Sequence, residues 1–168
     1  MLGLALLQAR QLSPCAEEVD LKLIIDDMLK KNGLPENVEL SIKVEPAARK
    51  FIADSTFINR IVHNLVNNAV QAMPNGGKLI INAYRDEKGI VMTVEDTGVG
   101  IPEQIRSKLF TPMFTTKTKG QGFGLAVIKR MTEVLGGTVT LESQEGKGTT
   151  FIIRLPHPCR CGFTVTNR

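Results

Sequence analysis

The sequence predicts an α+β two-layer sandwich, in which strands joined mostly antiparallel are covered on one face by helices. Short runs of alternating apolar residues recur at the period of half-buried strands, longer segments carry apolar stripes at helical spacing, and the links between strands have hairpin length. With 168 residues, 42% hydrophobic and 23% charged, the chain has the length of one ordinary domain and room for a short extra segment.

Residues 1–13 read as a helical fragment, Leu2, Leu4, Leu6 and Leu7 leading to Ser13-Pro14, a pair that stops a helix. A helix is expected over 19–31, where Leu21, Ile24, Ile25, Met28 and Leu29 share a face and Asn32-Gly33 with Pro35 close it. In 38–45 the residues Val38, Leu40, Ile42 and Val44 alternate with polar partners as in a strand, and 50–53 is a short second one. Asp54, Ser55 and Thr56 offer N-caps for a helix over 56–73, ended by Pro74-Asn75-Gly76-Gly77. Residues 78–85 and 89–96 form a hairpin across Asp86-Glu87-Lys88. A glycine turn, a short helix over 102–109, an irregular Thr/Lys/Gly stretch and a helix over 123–135 come next. A second hairpin, 138–143 with 149–155, turns across Glu145-Gly146-Lys147-Gly148 and leaves a loose tail from Pro156.

The apolar opening at 1–9 is interrupted by Gln8, closed by Arg10, and far short of the about 20 residues a membrane span needs. It lacks a charged start and a small-residue cleavage site, and the cysteines number 3, so a cytoplasmic setting without membrane contact is expected. The balance of 21 Lys and Arg against 17 Asp and Glu leaves +4 with no basic stripe, and aromatic residues are 5% with no Trp, so no nucleic-acid partner is expected. Cys159 and Cys161 lie near His157 but lack the second ligand pair that zinc needs, and read as reduced tail cysteines.

Three segments carry chemistry. On the 56–73 helix, Phe57, Ile58, Ile61, Val62, Leu65, Val66, Ala69, Val70 and Met73 form an apolar stripe. Asn64, Asn68 and Gln71 line up on another face with Asn67 beside them, where a solvated helix would normally carry Lys and Glu. Such an amide row fits Mg²⁺ and phosphate, because amide oxygens coordinate hard cations and amide nitrogens donate; an amide-rich wet surface explains it equally. In 89–96, strict alternation puts Asp96 on the core side with Ile90, Met92 and Val94, where a carboxylate requires a donor. Asp96-Thr97-Gly98-Val99-Gly100 then brings backbone close to whatever Asp96 contacts, or is a plain turn before Ile101-Pro102. Gly120-Gln121-Gly122-Phe123-Gly124-Leu125 opens a helix, a ready anion site, without the spacing or the parallel βαβ setting of a dinucleotide fingerprint. The preceding Thr115-Thr116-Lys117-Thr118-Lys119 reads as a phosphate-covering lid or as a charged surface loop.

Together these residues resemble the catalytic ATP-binding domain of sensor histidine kinases, in the superfamily shared with DNA gyrase, the large heat-shock chaperone and mismatch-repair ATPases. Asn64-Leu65-Val66-Asn67-Asn68-Ala69 resembles the N box and Asp96-Thr97-Gly98-Val99-Gly100 the first glycine box. Residues 109–117 resemble the F box, Gly120 to Gly124 the second glycine box, and Gly146-Lys147-Gly148-Thr149-Thr150-Phe151 a further glycine segment. The resemblance covers about residues 17–156 and implies a Bergerat-type fold, a mixed sheet covered on one face by helices, with ATP and Mg²⁺ as cofactors. It implies that Asn68 supplies oxygen to Mg²⁺ with Asn64 assisting, and that Asp96 accepts from the adenine amino group. Gly98, Gly100 and Ile101 would line the base pocket with help from Thr149, while Gly120, Gln121, Gly122, Phe123, Gly124 and Leu125 surround the phosphates. Lys117 would meet the terminal phosphate, and Gln71 stands where many such kinases place a phosphate-binding Lys.

ATP-hydrolysing branches of the superfamily carry a Glu one helical turn before the metal Asn, where this chain has Asn64. An amide is no general base at neutral pH, so transfer to an imidazole is favoured over hydrolysis. The family's phosphoacceptor, a His followed by an acidic residue, is missing: His63 precedes Asn64 and reads as local structure, and His157 lies in the Pro-flanked tail. The resemblance therefore implies partners, namely the dimerisation and phosphoacceptor domain of a parent kinase and a response regulator, and a monomeric fragment. Residues 1–16 resemble the end of a dimerisation helix with its linker, 17–157 the kinase domain, and 158–168 a tail. The rival expectations are an anti-sigma-type serine kinase of the same fold and a nucleotide-sensing module without transfer activity.

Overall fold

The computed structural model describes residues 14–111 and 124–157. A five-stranded mixed sheet has the order β2 (Val38–Val44), β4 (Gly77–Asp86), β5 (Gly89–Asp96), β7 (Gly148–Pro156), β6 (Thr138–Gln144). The two hairpins appear where the sequence places them. Among the described strands only β2 and β4 run parallel, in register from Val38 opposite Gly77 to Val44 opposite Ala83. Two long helices pack on one face: α3 (Ser55–Ala72) and, against it, α5 (Gly124–Val134). Their apolar stripes, Phe57, Ile58, Ile61, Val62 and Leu65 from α3 with Ile128 and Met131 from α5, share one core with Leu79, Ile81, Val94, Phe151 and Ile153 of the sheet.

Helix α3 begins where Asp54, one of the three expected caps, accepts from Phe57 N–H at 3.0 Å. The other Asp54 oxygen accepts from Cys15 N–H at 2.7 Å, so one buried carboxylate joins the incoming chain to the start of α3. The expected 19–31 helix is corrected at its start. Val19 and Asp20 belong to strand β1 (Glu17–Asp20), which pairs antiparallel with β3 (Lys50–Ala53) in a separate two-stranded sheet. Helix α1 (Leu21–Asn32) starts only after Asp20, whose side chain caps Leu23 N–H. A one-turn helix, α2 (Pro46–Arg49), precedes β3 and buries Ala48; four residues are too few to leave a helical period in the sequence. The short helix expected over 102–109 narrows to α4 (Glu103–Arg106), followed by further turns to Leu109. Among the described residues no helix is long and apolar enough to cross a membrane.

Candidate functional site

The ends of three adjacent strands form the floor of the site. Ile90, Met92, Val94 and Asp96 are buried on the helix-covered face of β5, as their alternation predicts. Asp96, 4% exposed, accepts from Gly98 N–H at 2.9 Å, which supplies a donor that a core-side carboxylate requires. Thr149, also 4% exposed, stands directly opposite Asp96 on β7, and Ser143 directly opposite Thr149 on β6. The Ser143 hydroxyl lies 2.9 Å from that of Thr149, accepts from Ile101 N–H at 2.8 Å and donates to Gly148 C=O at 2.9 Å.

The glycine turn after Asp96 is fastened on two sides. Val99 N–H donates to Ala72 C=O at 2.9 Å, at the end of α3, and Val99 C=O accepts from Gly146 N–H at 2.7 Å, in the β6–β7 loop. This closeness explains two glycines. A Cβ on Gly98 would collide with the Ala72 carbonyl, and at Gly100, where φ is 68°, it would strike the Gln144 carbonyl.

The amide row lies beside this floor. Asn64, Asn67 and Asn68 are half-buried on α3 and Gln71 is exposed. Asn68 Nδ2 is buried without a hydrogen-bond partner. An unpaired buried donor costs about 1–3 kcal/mol, an arrangement that a ligand acceptor relieves. Asn67 Nδ2 is 2.9 Å from His63 Nε2, and Asn32 Nδ2 is 3.3 Å from His63 Nδ1, so the imidazole bridges α1 and α3. A Cβ on Gly124 would lie 3.7 Å from Asn64 Oδ1, which sets the first turn of α5 against the amide row.

Two groups of expected residues are thereby brought together: Asp96, Gly98, Gly100, Ile101 and Thr149 at the strand ends, and Asn64, Asn68 and Gly124 between the helices. The Val99–Ala72 bond links them. Leu125 follows Gly124 in the first turn of α5. Lys117, Gly120, Gln121, Gly122, Phe123, Cys159 and Cys161 lie outside the described residues. Ser143 was not expected; its signal is positional, since it occupies the inward register opposite Thr149. A shallow cavity at the other end of the sheet, beside Gly89, Gly137 and Arg154, contains none of the expected residues. Among the described residues no three His, Cys, Asp or Glu gather as metal ligands, whereas the amide row presents the neutral oxygen and nitrogen atoms that suit a metal–phosphate pair.

Comparison with known proteins identifies the family and the fold. The family model described as histidine kinase-, DNA gyrase B-, and HSP90-like ATPase matches residues 53–158. Sensor histidine kinase ZraS of Escherichia coli (strain K12) is 34% identical over 143 residues, 83% of this chain and 31% of that kinase; the chain thus spans about a third of the length of this curated relative. The mycobacterial sensor histidine kinase MprB superposes with a TM-score of 0.75 at 30% identity, over 84% of this chain and 97% of that one. Full-length ShkA in complex with AMPPNP gives a TM-score of 0.75 at 26% identity, over 92% of this chain and 34% of that one.

Proposed function

Since the chain belongs to the histidine kinase-, DNA gyrase B- and HSP90-like ATPase family, as the catalytic domain of a histidine kinase, we propose that it binds MgATP and passes the γ-phosphoryl group to a histidine on a separate dimerisation domain. That domain and a response regulator are its partners in cytoplasmic two-component signalling. On this reading residues 17–157 are the kinase domain, while the expected dimerisation-helix end before it and the tail after it fall mostly on residues 1–13 and 158–168, outside the described residues. The observation that carries this reading is the placement of a buried acceptor, Asp96, and the buried, unpartnered Nδ2 of half-buried Asn68 on elements tied together by one short turn. The nucleotide complex of the related ShkA supports a nucleotide as ligand.

Asp96 accepts from the adenine amino group, and Gly98, Gly100 and Ile101 border the base with Thr149. Asn68 would offer its oxygen to Mg²⁺ with Asn64 assisting at metal or phosphate, and the ion would supply charge neutralisation on the phosphates. Gly120, Gln121, Gly122, Phe123, Gly124 and Leu125 surround the phosphates, with Gln71 nearby, and Lys117 meets the terminal one. A neutral imidazole needs little base assistance, so the chain's task is to align the γ-phosphate and stabilise its charge. Calorimetric titration tests the reading. Wild type is expected to bind ATP in preference to GTP, with Mg²⁺ dependence. Asp96→Asn should lose about 1.5–3 kcal/mol of ATP affinity, the range for a hydrogen bond to a charged acceptor. Equal binding of ATP and GTP by wild type would remove Asp96 from base recognition.

A further inference from the structure

We propose that Ser143 is the positioning residue that sets the hydrogen-bond polarity of the base pocket, by drawing the Thr149 hydroxyl proton away from it. The inference rests on the reading that the base lodges against Asp96. A serine hydroxyl has one proton and two lone pairs. Ile101 N–H, 2.8 Å from Ser143 Oγ, can only donate, and Gly148 C=O, at 2.9 Å, can only accept. With the Ser143 proton given to Gly148, the remaining contact, 2.9 Å to Thr149 Oγ1, is completed by the proton of Thr149. That leaves the lone pairs of Thr149 for the pocket.

Directly across the β5–β7 ladder stands the Asp96 carboxylate, also an acceptor, while Gly98 N–H is already engaged with Asp96 Oδ1. The buried strand ends thus present two acceptors side by side, which together take the two protons of an amino group at position 6 and oppose a carbonyl there. A buried acceptor facing another acceptor loses its partner, and such mismatches discriminate between bases more strongly than shape does. Without Ser143, the Thr149 hydroxyl is free to rotate and donate into the pocket, and the 6-carbonyl is no longer opposed there.

The test is calorimetric titration of the full chain with MgATP and MgITP, the latter carrying a 6-carbonyl. Wild type should prefer ATP. Ser143→Ala should lower the ATP-to-ITP affinity ratio about fivefold, the size of one ordinary hydrogen bond, and Ser143→Thr, which keeps the hydroxyl, should restore it. Thr149→Val, informative even where Ser143→Ala folds poorly, should lower the ratio by itself. Adding Ser143→Ala to Thr149→Val should then change the ratio by less than about twofold, because the acceptor that Ser143 orients is gone. Equal losses of ATP and ITP affinity in Ser143→Ala, with the ratio intact, would overturn the proposal and leave Ser143 as a structural clip. A wild type indifferent to ATP and ITP would instead overturn the underlying assignment of the base to Asp96.

Discussion

The amide of Val99 donates to the carbonyl of Ala72 at 2.9 Å, so the turn that follows Asp96 hangs from the last residue of α3. The Asp96 turn and the helix that carries the amide row are therefore joined through backbone, so a clash at this contact bears on both.

Gly98→Ala is expected to show this. Its Cβ would press into the Ala72 carbonyl, and backbone cannot yield as a flexible side chain does. Overpacking of this kind costs about 1–3 kcal/mol, so thermal denaturation should shift down and titration should show weaker ATP binding. Val99→Ala, which trims a side chain 60% exposed and leaves the backbone bond in place, should stay within about 0.5 kcal/mol of wild-type stability.

Asn68→Ala separates function from stability. Removing a buried donor that has no partner should leave the ligand-free unfolding free energy unchanged or higher, by up to the roughly 1–3 kcal/mol that such a donor costs. Mg²⁺-dependent ATP affinity should be lost in the same variant. Titrations with and without Mg²⁺ check the second half, and an unchanged Mg²⁺ dependence would take Asn68 out of the metal site.

Acid sensitivity should arise in part from two carboxylates remote from the site. Burial raises the pKa of Asp20, but Leu23 N–H, the Arg49 guanidinium at 3.0 Å and the Lys50 charge together hold it below the ordinary 3.8. Lys88 N–H, opposed by burial and joined by Arg154 and Gly89 N–H, holds Asp86 below 3.8 as well. Depressed folded-state values favour the charged, folded form. Their contribution is present above the unfolded value and is lost as pH falls through the folded ones. Urea unfolding followed from neutral pH to below 3.8 should show a shallower acid decline in Asp20→Asn and Asp86→Asn, by a small margin because both groups meet solvent.

The long periodic segments were legible in the sequence because their period is set by the side each residue buries. The stripe from Phe57 to Ala69 and the alternation from Ile90 to Asp96 both survive in the structure. Features set by distant partners were not legible. Val19 and Asp20 look helical locally but pair with Phe51 and Lys50, about thirty residues on. Nothing near Val38 says that its neighbour is the parallel strand beginning at Gly77. Asp96 stood out as a charge on an apolar face, whereas Ser143 became visible only when register placed it beside Thr149.

Phosphoryl transfer to histidine is tested most directly by incubating the chain with γ-labelled MgATP, alone and with a separate fragment carrying the dimerising helices and their histidine. Alone, the chain should remain negligibly labelled and hydrolyse ATP very slowly, because the amide of Asn64, one helical turn before Asn68, is no general base. With the fragment present, label should move to it as a phosphoamidate that is labile in acid and stable in base. An acid-stable phosphoester, or rapid steady hydrolysis by the chain alone, would contradict histidine transfer.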